Sequence, residues 1–591
     1  MLTKQSMVKA ICLFIAVSLG LLLGWHTLST PEVITANSDN LSAERMIEHL
    51  NVIATEQRSE FDFERRMYVR DYIISVMEGY GLVAEIDDFE IEITTYRDYL
   101  LHLAELRGWT ATQIETHIPA EGEELDWQLE LEGTVLQGSN VLFRQQGRSD
   151  TAIMLIAHID SGGRGALLDP ARGTPEWYSP GAADAGYGLT TMLEIARYFA
   201  GRDLENSIYF LFTDLHEISL RGASHALESM DFSNVGLILN LEARGIRGPV
   251  HMFEVQAGAG DLEAMRFFRR AIATTNIQPM TLSLSTAIYR FMPNSTDLTP
   301  FLNSGFAGMN FAPMDSLRYY HTPYDNLDNI SPTTMQHYVS MIGGLVERFV
   351  TNPQYSDPNI LLSDRTGVYF VLPFRNLVLY SDITAMIFGT IMLVAVVGLA
   401  IFLQAKKQIK LKKLMTWMLI IIGSVFAVAV FGLLVSLAVS LITGVPFNPV
   451  FMGQRLPHAP IMFVSLPIAL VGFCLLHKWL KNKFNRSEMV VGAMMLLALL
   501  NMTAQFLLVE ATFLLFFPIA VAFLCFVLSN VSKDNTPVLL MCAIIPTIFT
   551  IMLLAPIAFS ITLAVTTGGL FMVMALSVVV CMALPALWRD V

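Results

Sequence analysis

Two residue types are missing from most of this chain, and each absence narrows what the protein can be. The region 27–375 contains no cysteine, because all five cysteines lie in apolar segments elsewhere, at Cys12, Cys474, Cys525, Cys542 and Cys581. This region therefore has no disulfide bonds, and at roughly 350 residues it can bury a core without them. Lysine is absent between residues 10 and 405, and the net charge is −14. An acidic chain of this kind argues against nucleic acid as a partner, because nucleic-acid binding requires a basic face.

The lysines that are present fall into short clusters beside apolar runs. Lys4 and Lys9 lie before the first run. The other clusters lie in three loops between later runs: Lys406, Lys407, Lys410, Lys412 and Lys413 in one, Lys478, Lys481 and Lys483 in the next, and Lys533 in the third. An excess of lysine and arginine in short loops marks the cytoplasmic side of a membrane. The pattern predicts a cytoplasmic N-terminus and an extracytoplasmic soluble region.

Long apolar runs predict about eight membrane spans. The first run, 8–25, is interpreted as a retained anchor, because no convincing small-x-small signal-peptidase site follows it closely. Seven further runs are long enough to cross a bilayer, at 381–403, 414–442, 459–477, 487–508, 510–530, 537–556 and 559–586. Eight spans return the C-terminus to the cytoplasm. The predicted organisation is an N-terminal anchor (1–26), an extracytoplasmic domain (27–375) and an all-α polytopic membrane domain (376–591). A bacterial plasma membrane and an endoplasmic-reticulum membrane both stay open.

The soluble region has the pattern of an α/β domain. Two helices are predicted between 41 and 85, followed by a strand at Ala84–Thr94 and an inserted helix and loop at 96–125. Further strands are predicted at Leu129–Leu136, Ser139–Arg144, Ala152–His158, Ser207–Thr213 and Val235–Leu241, with helices at Gly188–Phe199 and Gly222–Ser229. Continuous apolar strands such as IMLIAH and IYFLFT are typical of a sheet covered by helices on both faces.

Metal-type ligands follow these strands in short signatures. They are His158 in AHIDS, Asp184 in PGAADAG, Glu217 in FTDLHE, Glu242 in LNLEARG and His321 in YYHTPYDN. Each alone has an ordinary alternative, such as a structural histidine, a helix N-cap or a solvated loop acid. Two imidazoles and three carboxylates together are the donor set that a pair of zinc ions requires. Asp160, two residues after His158, is suited to accept the other ring N–H of that histidine.

These motifs resemble those of M28-family zinc metallopeptidases. AHIDS resembles the family's AHxDS, STDLTPF its SDxxPF and YYHTPYDNLDNI its YHTxxDxxDxI, and the similarity extends over residues 40–350. The wording of the last two ligand motifs and the multi-span tail are most similar to the endoplasmic-reticulum branch of the family. The resemblance implies a mixed sheet, parallel at its centre and sandwiched by helices. It also implies one zinc ion on His158, Asp184 and Glu242, and a second on Asp184, Glu217 and His321, with Asp184 bridging both.

One position departs from the family pattern. Where the family carries a glutamate as general base, immediately before the third ligand, this chain carries His216. A histidine can act as a base near neutral pH, although two neighbouring dications disfavour its protonated form, and it can also become a metal ligand. Asp297, in STDLTPF, matches a position outside the ligand set.

The resulting functional hypothesis is a membrane-anchored dinuclear-zinc exopeptidase that hydrolyses terminal peptide bonds of a peptide substrate, with His216 and Asp160 in the catalytic machinery. An aminopeptidase is favoured because no clustered basic pocket for a terminal carboxylate is evident, although four arginines leave the choice open, namely Arg244, Arg247, Arg290 and Arg318. The alternative is a metal-binding but weakly active or inactive relative that binds peptides or acts as a membrane scaffold. A transporter with a regulatory ectodomain is a third possibility. The lipid bilayer is an expected partner, and the sequence leaves the oligomeric state open.

Overall fold

The computed structural model describes residues 4–93, 101, 104, 133–162, 179–290, 292, 294–449, 452–453, 456–480, 482–532 and 535–588. The insertion predicted at 96–125 lies almost entirely outside these residues. The chain divides into a soluble unit, Ser29–Arg365, and a helical unit formed by Met1–Leu28 and Thr366–Val591. The predicted boundary at 375 falls within a hairpin that belongs to the helical unit.

Helix α1 (Lys4–His26) belongs to the helical unit, and the soluble unit begins with α2. The helices of the soluble unit are α2 (Ala43–Ile53), α3 (Phe63–Gly79), α4 (Gly186–Phe199), α5 (Arg221–Ser229), α6 (Leu262–Ile272), α7 (Ser283–Tyr289), α8 (Leu298–Asn303) and α9 (Pro332–Val350). Its strands are β1 (Ala84–Ile93), β2 (Thr134–Gln145), β3 (Ser149–His158), β4 (Asn206–Thr213), β5 (Val235–Leu241), β6 (Arg247–Gln256), β7 (Met280–Thr281) and β8 (Gly308–Asp315).

The eight strands form one mixed sheet in the order β1-β2-β4-β3-β5-β8-β6-β7. The four central strands β4, β3, β5 and β8 are parallel to one another. β2 is antiparallel to β1 and β4, and β6 is antiparallel to β8 but parallel to the short strand β7. This confirms the predicted α/β class with a centrally parallel sheet. Two of the predicted strands, Leu129–Leu136 and Ser139–Arg144, merge into the single strand β2 over their described part.

Helices cover both faces of the central strands. On one face, Met154 and Ile156 of β3 pack with Ala223 and Ala226 of α5 and with Phe301 of α8. Helices α4 and α9 also contact β3 and pack against each other. Because successive residues of a strand point to opposite faces, a strand covered on both sides buries every residue and is therefore mainly apolar. All eight residues of β4 are buried for this reason.

The helical unit begins with α1 and a hairpin of β9 (Gly367–Leu372) and β10 (Asn376–Ser381). Its helices are α10 (Asp382–Ala405), α11 (Leu411–Thr443), α12 (His458–Leu480), α13 (Arg486–Leu507), α14 (Thr512–Val531), α15 (Thr536–Val565), α16 (Leu570–Cys581) and α17 (Leu584–Leu587). Within the described residues, eight helical segments are long and apolar enough to cross a membrane. This number agrees with the sequence prediction, whereas the side on which each loop lies stays a prediction.

One predicted break between spans is wrong. The sequence analysis ended a span at Pro556, but α15 continues through this proline to Val565, and the chain leaves the helix at Thr566. Proline is tolerated in membrane helices because neighbouring groups satisfy the freed carbonyl. The glycine pair that follows, Gly568 and Gly569, lies in the true break between α15 and α16.

Candidate metal centre

The five predicted ligands converge at one edge of the sheet. His158 ends β3, Glu242 follows β5 directly, Glu217 follows β4 by a short loop, and His321 lies beyond β8. Asp184 lies just before α4, which follows β3 in the chain. Parallel strands bring their carboxyl ends to the same edge, and open α/β sheets place their sites there. The topology therefore explains why residues up to about 160 positions apart meet.

Asp184 lies between the two histidines. Its Oδ1 is 3.4 Å from His158 Nε2, and its Oδ2 is 3.1 Å from His321 Nε2. Each histidine also faces a second carboxylate: His158 Nε2 is 3.6 Å from Glu242 Oε2, and His321 Nε2 is 3.2 Å from Glu217 Oε1. The ligand atoms thus form two groups of three that share Asp184, one oxygen to each group.

The spacing within each group fits a tetrahedral ion. Metal–ligand bonds of about 2.0–2.1 Å place two ligand atoms of a tetrahedral zinc site roughly 3.3 Å apart, and the four separations above run from 3.1 to 3.6 Å. His158 Nε2 is buried and forms no hydrogen bond with any described residue. A buried ring nitrogen that faces two carboxylates without a hydrogen bond is what a metal ligand requires. The residues present therefore fit zinc.

Asp160 supports this centre differently from the prediction. The Nδ1 atom of His158 lies 2.8 Å from the backbone carbonyl of Asp160, so the main chain, not the carboxylate, fixes the ring tautomer. The Asp160 carboxylate lies 3.4 Å from the same nitrogen. Its oxygens accept the backbone N–H groups of His216 and Glu217, at 3.1 and 3.0 Å. Asp160 therefore holds the loop that carries the third ligand and its neighbour.

His216 lies against the first group of ligands. Its ring stacks on that of His158 with centroids 4.0 Å apart and an interplanar angle of 9°. Its Nδ1 is 2.9 Å from Asp297 Oδ1 and 4.0 Å from Glu242 Oε1. The other oxygen of Asp297 accepts the hydroxyl of Thr213 at 2.5 Å. Sequence reasoning singled out both His216 and Asp297 but had no means of pairing them, because 81 positions separate them.

Acidic side chains dominate the electrostatics of the centre. Burial lowers the pKa of His158, but the facing carboxylates outweigh this effect and hold it well above its usual value. Burial likewise lowers the pKa of His321, but Glu217 and Asp184 outweigh this effect and raise it to about 10. A site that raises the pKa of its histidines in this way stabilises positive charge at its centre. A divalent cation bound there would supply that charge.

Two residues that the sequence analysis overlooked hold the loop of Asp184. The carboxylate of Asp325 accepts the backbone N–H groups of Ala183 and Asp184, at 2.7 and 3.2 Å. The buried guanidinium of Arg58 donates to the carbonyls of Ile159, Pro180 and Gly181, and so links the loop after β3 to the loop before α4. Asp325 lies in the YYHTPYDN signature, which was the available signal. Arg58 had none, because it lies outside every motif.

A further acidic residue, Glu60, lies in the loop between α2 and α3 and is buried. Burial first, and then the neighbouring charge of Glu217, raises its pKa to about 8. Asn240 supports the fourth ligand, because its amide donates to Glu242 Oε1 at 3.1 Å. No sequence motif pointed to Glu60, whereas Asn240 lies in the LNLEARG signature, which was the available signal.

Comparison with known proteins agrees with this geometry. Residues 140–346 match the model described as Peptidase family M28. This part of the chain is therefore similar to the peptidases of family M28. The matched segment contains all five candidate ligands, His216 and Asp297.

The similar curated proteins are longer than the region they share with this chain. A vacuolar membrane protease of Candida albicans is 25% identical over 257 residues, covering 43% of this chain and 28% of that protein. A vacuolar membrane protease of Eremothecium gossypii is 27% identical over 270 residues, covering 44% of this chain and 25% of that protein. The chain thus spans about a quarter of the length of these relatives. Both are named for the vacuolar membrane, whereas the motifs suggested the endoplasmic-reticulum branch.

Among solved structures, an aminopeptidase from Aneurinibacillus sp. strain AM-1 is similar over 53% of this chain and 94% of its own, with 14% identity and a TM-score of 0.39. A zinc aminopeptidase from Bacillus subtilis is similar over 56% of this chain, with 15% identity and a TM-score of 0.37.

Proposed function

We propose that this protein is a membrane-anchored exopeptidase of the aminopeptidase type that holds two zinc ions and acts on the extracytoplasmic side. The observation that carries the proposal is the position of Asp184, whose two oxygens face His158 and His321 separately. A carboxylate shared in this way is the bridging ligand of a two-metal site. The acidic composition of the soluble unit and the M28 match of residues 140–346 support the same assignment.

In this proposal one ion binds to His158, Asp184 and Glu242, and the other to Asp184, Glu217 and His321. When bound, such ions polarise a carbonyl group and lower the pKa of a bound water towards about 7. The side chains that support the ligands fix them before substrate arrives, since Asp160 and Asp325 fasten the two ligand loops through backbone N–H groups. The peptide backbone of the site therefore needs little rearrangement during the reaction.

His216 is the residue that moves the proton. Its Nδ1–H donates to Asp297, which leaves Nε2 with a lone pair that accepts a proton from water. Asp297 stabilises the imidazolium that results, and Thr213 holds Asp297 in place. His216 then returns the proton to the amine that leaves. A general base of this kind contributes about 10²–10⁴ in rate.

A free α-amino group fits the centre better than a free carboxylate does. The soluble unit contains no lysine, and the buried guanidinium of Arg58 is engaged by three backbone carbonyls. Acidic groups that favour positive charge attract a terminal ammonium instead. This asymmetry favours cleavage from the amino end.

The test uses the full chain in detergent with added zinc and a panel of aminoacyl and N-acetylated short peptides. We expect turnover of the free-amine substrates, no turnover of their acetylated counterparts, and loss of activity in Glu217→Ala. Activity no higher than that of Glu217→Ala would refute the peptidase. Turnover of acetylated peptides from the carboxyl end would refute only the aminopeptidase assignment.

The alternative function is a metal-binding relative with little activity, and a substitution at His216 tests it. His216→Glu restores the residue that the family carries. A large gain in activity would support the alternative, whereas a loss would show that His216 serves as the base. Zinc content measured on both proteins separates loss of chemistry from loss of metal.

A further inference from the structure

A cavity of about 290 Å³ lies at one end of the helical unit, between two loops. One loop joins α10 to α11 and the other joins α12 to α13. Four lysines line the cavity, two from the first loop, one from the first turn of α11 and one from the second loop, namely Lys407, Lys410, Lys413 and Lys483. All four are exposed, so their ammonium groups reach water as well as the cavity.

The acidic group in this cavity is engaged by the backbone. Glu488 is buried, and its two carboxylate oxygens accept the N–H groups of Lys410 and Asn485, at 3.2 and 2.9 Å. The Lys413 ammonium donates to the carbonyl of Lys483 at 2.8 Å and so connects the start of α11 to the second loop. Among the described residues, no carboxylate forms an ion pair with any of the four ammonium groups. The cavity is therefore a built concave site with a surplus of positive charge.

Large apolar side chains flank this site on the helix ends that lead into it. Phe402 is 56% exposed, Leu411 58% and Trp479 70%. The Lys483 ammonium lies 5.0 Å from the centre of the Trp479 ring. An exposed tryptophan with lysines beside it is typical of the level at which lipid headgroups meet the hydrocarbon of a bilayer. A ligand of this site therefore meets positive charge at one end and apolar surface at the other.

We propose that this cavity binds the phosphate headgroup of an anionic phospholipid, whose acyl chains lie along the exposed apolar ends of α10, α11 and α12. Basic pockets between membrane helices bind anionic headgroups by charge, at about 1 kcal/mol per lysine. The apolar rim distinguishes a lipid from a free phosphate, which would gain nothing from Phe402, Leu411 and Trp479. The inference concerns the helical unit alone and does not depend on peptidase activity.

The chain offers a control with equal charge. Lys406, Lys412 and Lys478 are exposed lysines of the same loops and helix ends, but they do not line the cavity. The triple variant K407Q/K410Q/K483Q removes three charges from the cavity, and K406Q/K412Q/K478Q removes three from beside it. Lys413 is kept in both, because its ammonium connects the start of α11 to the second loop.

The measurement is the melting temperature of the full chain in an uncharged detergent during titration with phosphatidylglycerol, phosphatidylcholine or inorganic phosphate. We expect a saturable rise with phosphatidylglycerol alone. The cavity variant should need on the order of 100-fold more of this lipid, since each lysine contributes about fivefold, and the control variant less than about fivefold more.

Equal weakening in both triple variants would show that the lysines act only as diffuse charge and would overturn the site. Saturation by inorganic phosphate at the same concentration would overturn the lipid assignment. If the cavity variant does not fold, K407Q alone against K406Q alone gives the same comparison, with an expected difference of about fivefold.

Discussion

The ion pair between Arg66 and Asp214 connects the fold to the metal centre and gives the sharpest stability prediction. Arg66 lies on α3, and Asp214 directly follows β4, two residues before His216. Their Nε and Oδ1 atoms are 2.8 Å apart, and both side chains are almost completely buried. The Asp214 carboxylate also accepts the N–H groups of Ser139 and Leu215, so it fixes the start of the loop that carries His216 and Glu217.

Replacing Arg66 with methionine keeps most of the side-chain volume but leaves Asp214 as a buried charge without its cation. Breaking a buried pair on one side costs about 3–5 kcal/mol, which is a large part of the 5–15 kcal/mol that typically stabilises a domain. Burial already raises the pKa of Asp214 to about 6, against the pull of Arg66. Loss of Arg66 raises this pKa further. The defect is therefore largest above the folded pKa, where the carboxylate is charged, and shrinks as the pH falls and the group takes up a proton.

The assay is denaturant unfolding of the full chain in detergent at pH 8 and pH 5.5, for Arg66→Met, Asp214→Asn and the double variant. The double variant should recover about half of the loss at pH 8, because no buried charge remains. Arg197→Met is the matched control. Arg197 pairs with Glu194, and in the variant Glu194 still pairs with Arg45, so we expect a loss of about 1 kcal/mol or less in the free energy of unfolding. Additive losses in the double variant, or a defect of Arg66→Met that does not change with pH, would refute the reasoning.

Three further predictions concern pH, metal and packing. Buried His337 accepts the N–H of Val250 through Nδ1 at 3.1 Å, and burial lowers its pKa to about 4. Its folded pKa is thus below the unfolded value of about 6.5, so its contribution to stability is full above pH 6.5 and falls by about 2 kcal/mol at pH 5. In His337→Gln the free energy of unfolding, measured at pH 7 and pH 5, should lose this pH dependence. The same pH dependence in the variant as in the wild type would contradict the prediction. Asp184→Asn should reduce bound zinc from two ions to one or none by elemental analysis, and two retained ions would exclude Asp184 as a bridge. In Gly222→Ala the new methyl group would clash with the carbonyl oxygen of Asp214, so we expect a loss of more than about 1 kcal/mol in the free energy of unfolding. A variant that melts like the wild type would show that this approach is not tight.

The sequence predicted the buried strands well because their composition leaves little choice. β5 was placed at its observed bounds, and β3 and β4 within three residues, since continuous apolar runs suit only a sheet covered on both faces. It did not predict β6 and β8, which lie side by side in antiparallel pairing although more than 50 positions separate them. Pairing across such a distance depends on which strands remain free, and no local pattern records that.

The candidate site shows the same division. Glu242 was predicted because a charged residue at the end of an apolar strand needs a partner, whereas the other ligands were predicted from their short signatures taken together. The contacts that support the ligands were not predictable, because they join residues far apart in the chain, and some of these residues, such as Arg58, lie outside every motif. The side-chain role assigned to Asp160 shows a further limit: spacing alone suggested that its carboxylate holds His158, whereas its backbone carbonyl does so.

The pairing of His216 with Asp297 bears on the one departure from the family pattern. A glutamate facing Asp297 in place of His216 would bring two carboxylates together, and two carboxylates in contact cannot both ionise, so the pair would share one proton. His216→Glu therefore replaces an imidazole by an acid beside Asp297, and turnover compared at constant zinc content tests which of the two side chains serves better as the base.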